Sequence, residues 1–519
     1  MINRSPNRAT VKLIMRALVL ALAVMVCWSA AFAHAKLVRS QPAANGRLKE
    51  APKIVELWFS EELEAQFSTI IVTDQNGRHV DKNDVSCAEG NKKLQISLED
   101  LQPGTYTVEW KALSTDQHTM KGKFVFTVEG SAAPSTPTVQ PQGAINKATP
   151  SPSTPQRSVT SQPSESMQES SSSWMQSLVR WFQYLAMLTL FGGFAFYLTV
   201  LALVLHRVST SAGISTDEAT NFSERRTLLL SWISVVLIFL TSLIALVQQA
   251  SAVFDKTLTE GLSLSLLIQV LTKTGYGGAW FLQIIVTAVF TVLLLLLSFQ
   301  TKSRKPENGK TLWWIGLVVG LILLVAPSWT GHAAAAKDFR FAVVTDWLHI
   351  VAGGFWVGGL FHFGLTALPA LSRLDTDKRT SILGQLIRRF TQIATPSVVL
   401  LVLAGLYNTW VHIESFQAFW TTAYGRTLLI KLILVAIMLV LGGVNNFHFG
   451  KKAVRLTETG PAGSDGQRKL ERGFTRSVLV EAVIGGAVLL ITAILVFQTP
   501  ARIHPPMASN EPRNIQRLR

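Results

Sequence analysis

Eight apolar runs, each long enough to cross a bilayer as a helix, follow one another from Trp174 to Gln498. They leave a helical bundle as the fold of that half, because backbone in hydrocarbon must satisfy its own hydrogen bonds. The runs fall near 178–205, 227–250, 279–299, 312–331, 342–368, 390–411, 427–447 and 477–498. Leu262–Leu271 is apolar but too short, and reads as re-entrant or interfacial. The chain has 519 residues, 48% of them hydrophobic. A formal net charge of +16 would suit a nucleic-acid partner, but its distribution does not. The surplus lies in short gaps between apolar runs, where lysine and arginine orient a protein in a bilayer.

Those gaps agree on one orientation. Arg207, Arg225 and Arg226 fall in the first; Lys302, Arg304, Lys305 and Lys310 in the third. Arg373, Lys378, Arg379 and Arg388 fall in the fifth, and Lys451, Lys452, Arg455, Arg468, Lys469, Arg472 and Arg476 in the seventh. Odd gaps are therefore expected inside and even gaps outside. The start of the chain gives the same answer. Arg4, Arg8, Lys12 and Arg16 precede an apolar stretch, Ala17–Cys27, and then Ala31-Phe32-Ala33. That order is the pattern of a cleavable secretory signal over residues 1–33, and cleavage after Ala33 makes His34 the first residue of the mature chain. The expected protein is a multi-pass plasma-membrane protein with its N-terminal domain and its C-terminal tail (501–519) outside.

Between leader and spans, residues 34–130 are nearly neutral, with 12 basic and 14 acidic side chains. Short β-branched and aromatic runs at Ile54–Phe59, Thr69–Thr73, Leu94–Leu98, Thr105–Trp110 and Lys123–Val128 are separated by turns such as Asn76-Gly77 and Pro103-Gly104. An all-β sandwich of about 100 residues fits. Residues 131–173 switch to Ser, Pro, Thr and Gln and read as a flexible tether, followed by the membrane domain over 174–500.

Cys27 lies in the leader, so Cys87 is the single thiol of the mature chain, and disulfides or cysteine-rich metal sites are excluded. Other donors are present. A terminal His34 offers its amine and its imidazole to one ion, and Asp116-x-His118, two apart in an extended segment, point to the same side. Three nitrogens and one oxygen suit tetragonal Cu(II); zinc could use the same atoms but stands below copper in affinity order. His79, after a turn and with no evident partner in the sequence, reads as a surface residue.

His34-Ala35-Lys36-Leu37, Ser40-x-Pro42-Ala43, Gly46-x-Leu48, Pro103-Gly104-x-Tyr106-x-Val108-x-Trp110 and Ser114-Thr115-Asp116-Gln117-His118-Thr119-Met120-Lys121-Gly122 resemble the periplasmic copper-binding CopC family across nearly all of 34–130. The resemblance implies a cupredoxin-like, Ig-like sandwich holding Cu(II) through His34, Asp116 and His118. The methionine-rich Cu(I) site of some members is not carried over, since Met120 is the domain's only methionine.

In the membrane half, His332 ends the fourth run, and Asp346 and His349 open the fifth at i, i+3 spacing on one helix face. Ionisable residues there are costly and point to function, so the three are expected to form a second metal site. Asn445 and Glu481 mark an inner polar path. Gly331-His332-Ala333, Asp346-x-x-His349, Trp356-x-Gly358-Gly359, Arg389-Phe390, Tyr424-Gly425-x-x-Leu428-x-x-Lys431, Asn445 and Glu481 are similar to the CopD family of copper-resistance membrane proteins. A CopC-like domain fused to a CopD-like domain implies copper uptake. His362 and His412 read as structural or interfacial.

Two functions remain on these grounds. One is a copper importer, non-enzymatic, that captures Cu(II) outside; an extracytoplasmic copper chaperone or reductase is a partner this chemistry invites. The other is a copper-linked redox, sensory or resistance protein without transport, for which the spacing of His349 and His362 invites a two-haem reading. The spans hold only Met187 and Met438 as sulfur donors, an obstacle to carrying soft Cu(I). No nucleophile elbow, phosphate loop or zinc-hydrolase spacing occurs. Mass spectrometry of the mature protein is expected to find His34 at its N-terminus; an intact leader would remove the terminal chelate.

Overall fold

The computed structural model describes residues 37–60, 62–114, 119–129, 166–303, 309–329, 339–413, 415–459 and 465–498. The chain divides into two compact units, one β and one helical.

Among the described residues of the β unit, eight strands form two four-stranded sheets. The strands are β1 (Leu37–Gln41), β2 (Arg47–Leu48), β3 (Ile54–Phe59), β4 (Thr69–Thr73), β5 (Ser86–Ala88), β6 (Lys93–Ser97), β7 (Gly104–Leu113) and β8 (Thr119–Val128). One sheet runs β1-β3-β6-β5 and the other β2-β8-β7-β4. Pairing is antiparallel at β1/β3, β3/β6, β5/β6 and β4/β7, and parallel at β2/β8. Alternation puts every second side chain inside. Val55, Leu57 and Phe59 of β3 are buried, as are Ile70 and Val72 of β4, Tyr106, Val108 and Trp110 of β7, and Phe126 and Val128 of β8. Each such side chain contributes about 1.5–3 kcal/mol of burial. Phe59 meets Trp110 edge-on with ring centroids 5.3 Å apart, and Tyr106 stacks on Phe126 at 5.4 Å. The Tyr106 hydroxyl donates to the Gln102 carbonyl at 2.6 Å, which satisfies the polar end of an otherwise buried ring.

β3 and β4 coincide with their expected ranges, whereas β7 and β8 run longer than expected and β6 is displaced by one residue. β1, β2 and β5 were not anticipated. They are short or edge strands of mixed polarity, so no period-2 apolar pattern announces them. His79 is exposed, as expected, yet it has a partner: its Nδ1 lies 3.6 Å from Asp81 Oδ2.

Among the described residues, the helical unit contains eight helices long and apolar enough to span a membrane: Trp174–Ser211, Asp217–Phe254, Gly275–Thr301, Lys310–Trp329, Val343–Leu371, Lys378–Thr409, Ala423–Leu456 and Asp465–Val496. They are the eight anticipated spans, several prolonged by polar turns. The helix carrying the first span begins at Ser166, so residues 166–173, read as tether, are helical: serine and glutamate there do not break a helix already nucleated by the apolar segment. The rest of the tether, the leader and the tail lie outside the described residues. Leu262–Leu271 overlaps a separate ten-residue helix, Leu264–Lys273.

The first and fifth spans are the most enclosed of the bundle, and glycine is the reason. A Cβ at Gly192 would strike the Gly358 backbone, and one at Gly358 would strike the Leu188 carbonyl. Gly354 and Gly358 form the small-xxx-small pattern that lets two helix backbones touch. Phe191 and Phe355 flank the crossing, centroids 5.1 Å apart. Outward faces of the second, third, sixth, seventh and eighth spans expose Ile233, Ile285, Leu406, Val440 and Val483, the apolar surface a bilayer requires. Single π-helical turns interrupt the first span at Tyr197–Leu201, the fifth at Gly354–Gly358 and Phe363–Ala367, and the seventh at Asn445–Gly450. Such turns re-aim side chains and occur often at functional sites.

Gly358→Val is expected to cost about 1–3 kcal/mol, the usual penalty of overpacking, read as lower thermal stability of the full chain in detergent. Gly278→Ala, where nothing lies within 4 Å of an added Cβ, is the neutral control.

Candidate functional site

Three polar sites were expected, and the structure describes two of them. His34, Asp116 and His118 lie outside the described residues. By chain order, Asp116 and His118 fall in the connection between β7 and β8, and His34 precedes β1 by three positions. Among the described residues no three His, Cys, Asp or Glu side chains gather around one point.

The second site is built around the start of the fifth span; of its three expected members, His332 lies outside the described residues. His349 packs against the sixth span at Gly405, where its ring carbon stands 3.5 Å from the place a Cβ would take. Glycine at that position makes the room for the imidazole. One edge of the ring faces the Leu401 carbonyl, while Nδ1 is buried and without a hydrogen-bond partner among the described residues. An imidazole steadied on one edge with a free lone pair on the other is the usual form of a metal-binding histidine. Three residues earlier, Asp346 lies in the neighbourhood of Ser328, at the end of the fourth span, and of Lys431 on the seventh, whose charge reaches its carboxylate. Tyr424 and Tyr184 also feel its charge. This end of the fifth span therefore offers one nitrogen and a carboxylate, within reach of the Lys431 charge. Lys431 stood out in the sequence as a residue near a helix end; its place beside Asp346 was not legible. Ser328 and Gly405 were missed, and the one available hint was Ser328's position four residues before His332.

The third site joins the expected pair. Asn445 Nδ2 donates to Glu481 Oε2 at 2.7 Å, and the Trp356 indole of the fifth span lies close to this carboxylate. Glu481 is 2% exposed. Gly442 leaves space beside it, a Cβ there falling 3.5 Å from Oε1. The pair closes one end of a cavity of about 300 Å³ between the fifth to eighth spans, walled by Leu360, Phe390, Val398 and Phe474. Thr391 donates to Asn446 Oδ1 at 3.3 Å on the cavity's rim. Asn445 and Asn446, at the start of the π-helical turn of the seventh span, both line this space.

The remaining polar groups are structural. His362 is buried, with Nδ1 3.1 Å from Thr366 Oγ1 and Nε2 3.0 Å from the Thr189 carbonyl, as its reading as a structural residue requires. Both nitrogens are engaged, so His349 and His362 do not present the pair of free ligands a two-haem arrangement needs. Arg389 Nε donates to the Thr199 carbonyl at 2.8 Å. A half-buried pair that the sequence did not suggest, Tyr197 to Glu224 at 2.5 Å, ties the first span to the second.

Family models match three segments: residues 37–129 as a CopC domain, 167–340 as a copper resistance protein D-like N-terminal domain, and 384–495 as copper resistance protein D. Copper transport protein CutJ of Bacillus subtilis (strain 168) is 28% identical over 484 residues, covering 93% of this chain and 76% of that one. Copper resistance protein C of Pseudomonas syringae pv. tomato is 37% identical over 112 residues, 20% of this chain and 88% of the relative. Inner membrane protein YebZ of Escherichia coli (strain K12) is 24% identical over 234 residues, 45% and 71% of the two chains.

His362→Ala is expected to lower thermal stability by about 1–3 kcal/mol, the cost of stranding buried hydrogen-bonding groups, while leaving the protein's metal stoichiometry unchanged. Loss of bound metal without loss of stability would reverse that assignment.

Proposed function

The chain belongs to the copper-resistance proteins in which a CopC domain is fused to a CopD-type membrane domain, and from that premise we propose that it captures Cu(II) outside the membrane and passes copper inward. It is a multi-pass membrane protein of a copper transport and resistance family. The observation that carries the proposal is the buried His349 Nδ1, without a hydrogen-bond partner among the described residues, one helical turn after Asp346, in the same chain as a copper-binding β-domain.

In this reading Cu(II) is cargo. The α-amine and imidazole of His34 close a chelate ring, and Asp116 and His118 complete a tetragonal set. The tether raises the effective concentration of the loaded domain near the bundle. Copper then enters the outer site of His332, Asp346 and His349, where the Asp346 carboxylate meets its charge. Nitrogen and oxygen donors suit Cu(II) better than Cu(I), so the cupric ion is the form this site receives. The basic odd-numbered loops support an arrangement with both termini outside. The similarity across 93% of the chain to a protein named for copper transport favours import over a sensory role.

At limiting copper, cells carrying the chain are expected to accumulate radiolabelled copper faster than a deletion strain; equal uptake removes the import reading. His118→Ala should weaken Cu(II) binding by at least about tenfold, since loss of even an outer partner of a metal ligand costs about 10–100-fold. Undiminished binding would sink the capture site. Asp346→Asn and His349→Ala should leave that binding intact and abolish uptake.

A further inference from the structure

The cavity between the fifth and eighth spans has a donor set unlike that of the outer site. Of the residues that line it, Glu481 is the only ionisable one; the other polar members are Trp356, Thr391, Thr395, Asn445 and Asn446. It offers oxygen from a carboxylate, two amides and two hydroxyls, and no sulfur or imidazole. Met438 packs one turn further along the seventh span, its methyl against Gly485, buried among Val357 and Phe361. Soft copper finds little here. A hard alkali cation would need these oxygens gathered around one point, and the Asn446 oxygen already accepts from Thr391.

A proton needs one oxygen and an amphoteric neighbour, and both are present. The Asn445 amide donates through Nδ2 to the Glu481 carboxylate. Its Oδ1 is buried and without a partner among the described residues. Rotating that amide by half a turn presents Oδ1 instead, the acceptor that a protonated Glu481 requires. One side chain thus serves both protonation states without moving the backbone. Gly442 leaves the carboxyl room to turn, and a cavity of about 300 Å³ has space for the waters that deliver a proton.

The charges on neighbouring elements do not interfere. From the fifth span the group facing Glu481 is the neutral Trp356 indole; His362 of that span is bound to Thr189 and Thr366. From the sixth, Thr391 is neutral and Arg389 is held by the Thr199 carbonyl and Gln392. The seventh contributes Asn445, with Lys431 fourteen residues away beside Asp346. A lone carboxylate, buried without a cation opposite it, is costly to hold permanently charged. It is suited to taking up and giving off charge.

We propose that the Glu481–Asn445–Trp356 cluster is a proton-binding site that couples copper passage to proton movement, distinct from the copper-binding site around His349. The inference rests on the import reading and adds its driving ion. The step is a simple protonation: the carboxylate takes a proton from cavity water on one side of the membrane and returns it on the other.

The test uses the full chain in proteoliposomes with an imposed pH gradient, ionic copper outside and a pH-sensitive dye trapped inside. Wild-type copper uptake should rise with the gradient and be matched by a change in internal pH. Glu481→Gln should lose the gradient-driven component while the copper bound per chain stays unchanged, and Glu481→Asp should restore part of it. Gradient-independent uptake by the wild type overturns this proposal alone. So does a Glu481→Gln protein that keeps the full gradient dependence, or uptake that follows sodium instead of pH. Absence of any wild-type copper uptake removes the import reading, and this one with it.

Discussion

The backbone contact between the first and fifth spans governs the helical unit. Where Gly192 meets Gly354 and Gly358, no side chain separates the two helices, and dispersion and shape, with no hydrophobic drive between spans in lipid, must hold them. That contact commits the fifth span to the middle of the bundle. Its polar residues are then enclosed by other helices and shielded from lipid. Asp346, His349 and Trp356 can be tolerated there for that reason. The same residues on an outward-facing span would each stand against hydrocarbon.

Given an enclosed fifth span, its partners decide what each level of the bundle can bind. At one end it meets Gly405 of the sixth span and comes within reach of the Lys431 charge on the seventh, which leaves an imidazole lone pair and a carboxylate at that level. Two turns further along, Trp356 meets Glu481 and Asn445, and the donors become oxygen alone. Lys431, Met438 and Asn445 are spaced seven apart on the seventh span, so one face of that helix borders both levels. The two levels therefore differ in hardness, in charge and in access to a cavity. A single ion has no reason to visit both.

Much of the architecture was legible because it follows from periodicity. Apolar length announced the eight spans, and the β-branched runs of β3 and β4 announced those strands to the residue. β1, β2 and β5 stayed hidden, since pairing by backbone hydrogen bonds needs no particular side chain. The start of the first helix was also hidden: residues 166–173 have a tether's composition, and only continuity with the apolar segment makes them helical. At the candidate sites, cost was the readable signal. Asp346, His349, Asn445 and Glu481 stood out because polar groups in spans are rare. Their neighbours did not, because Gly405, Gly442 and Ser328 are ordinary residues in a membrane helix until the tertiary contact shows what they make room for.

The scarcity of sulfur bears on how copper is handled. Met187 and Met438 are both fully buried in packing, and a thioether surrounded by Phe361, Val357 and Gly485 serves as adaptable core filling. A bundle that carried Cu(I) down a ladder of thioethers would place them along a polar path, and these two are not so placed. Cupric ion on nitrogen and oxygen donors asks less of the sequence, but it brings two charges into a low-dielectric interior. The Asp346 carboxylate offsets one of them at the outer level. The second must be met by movement of another charge, and the described residues that line the inner cavity provide a single group able to change its own: the carboxyl of Glu481.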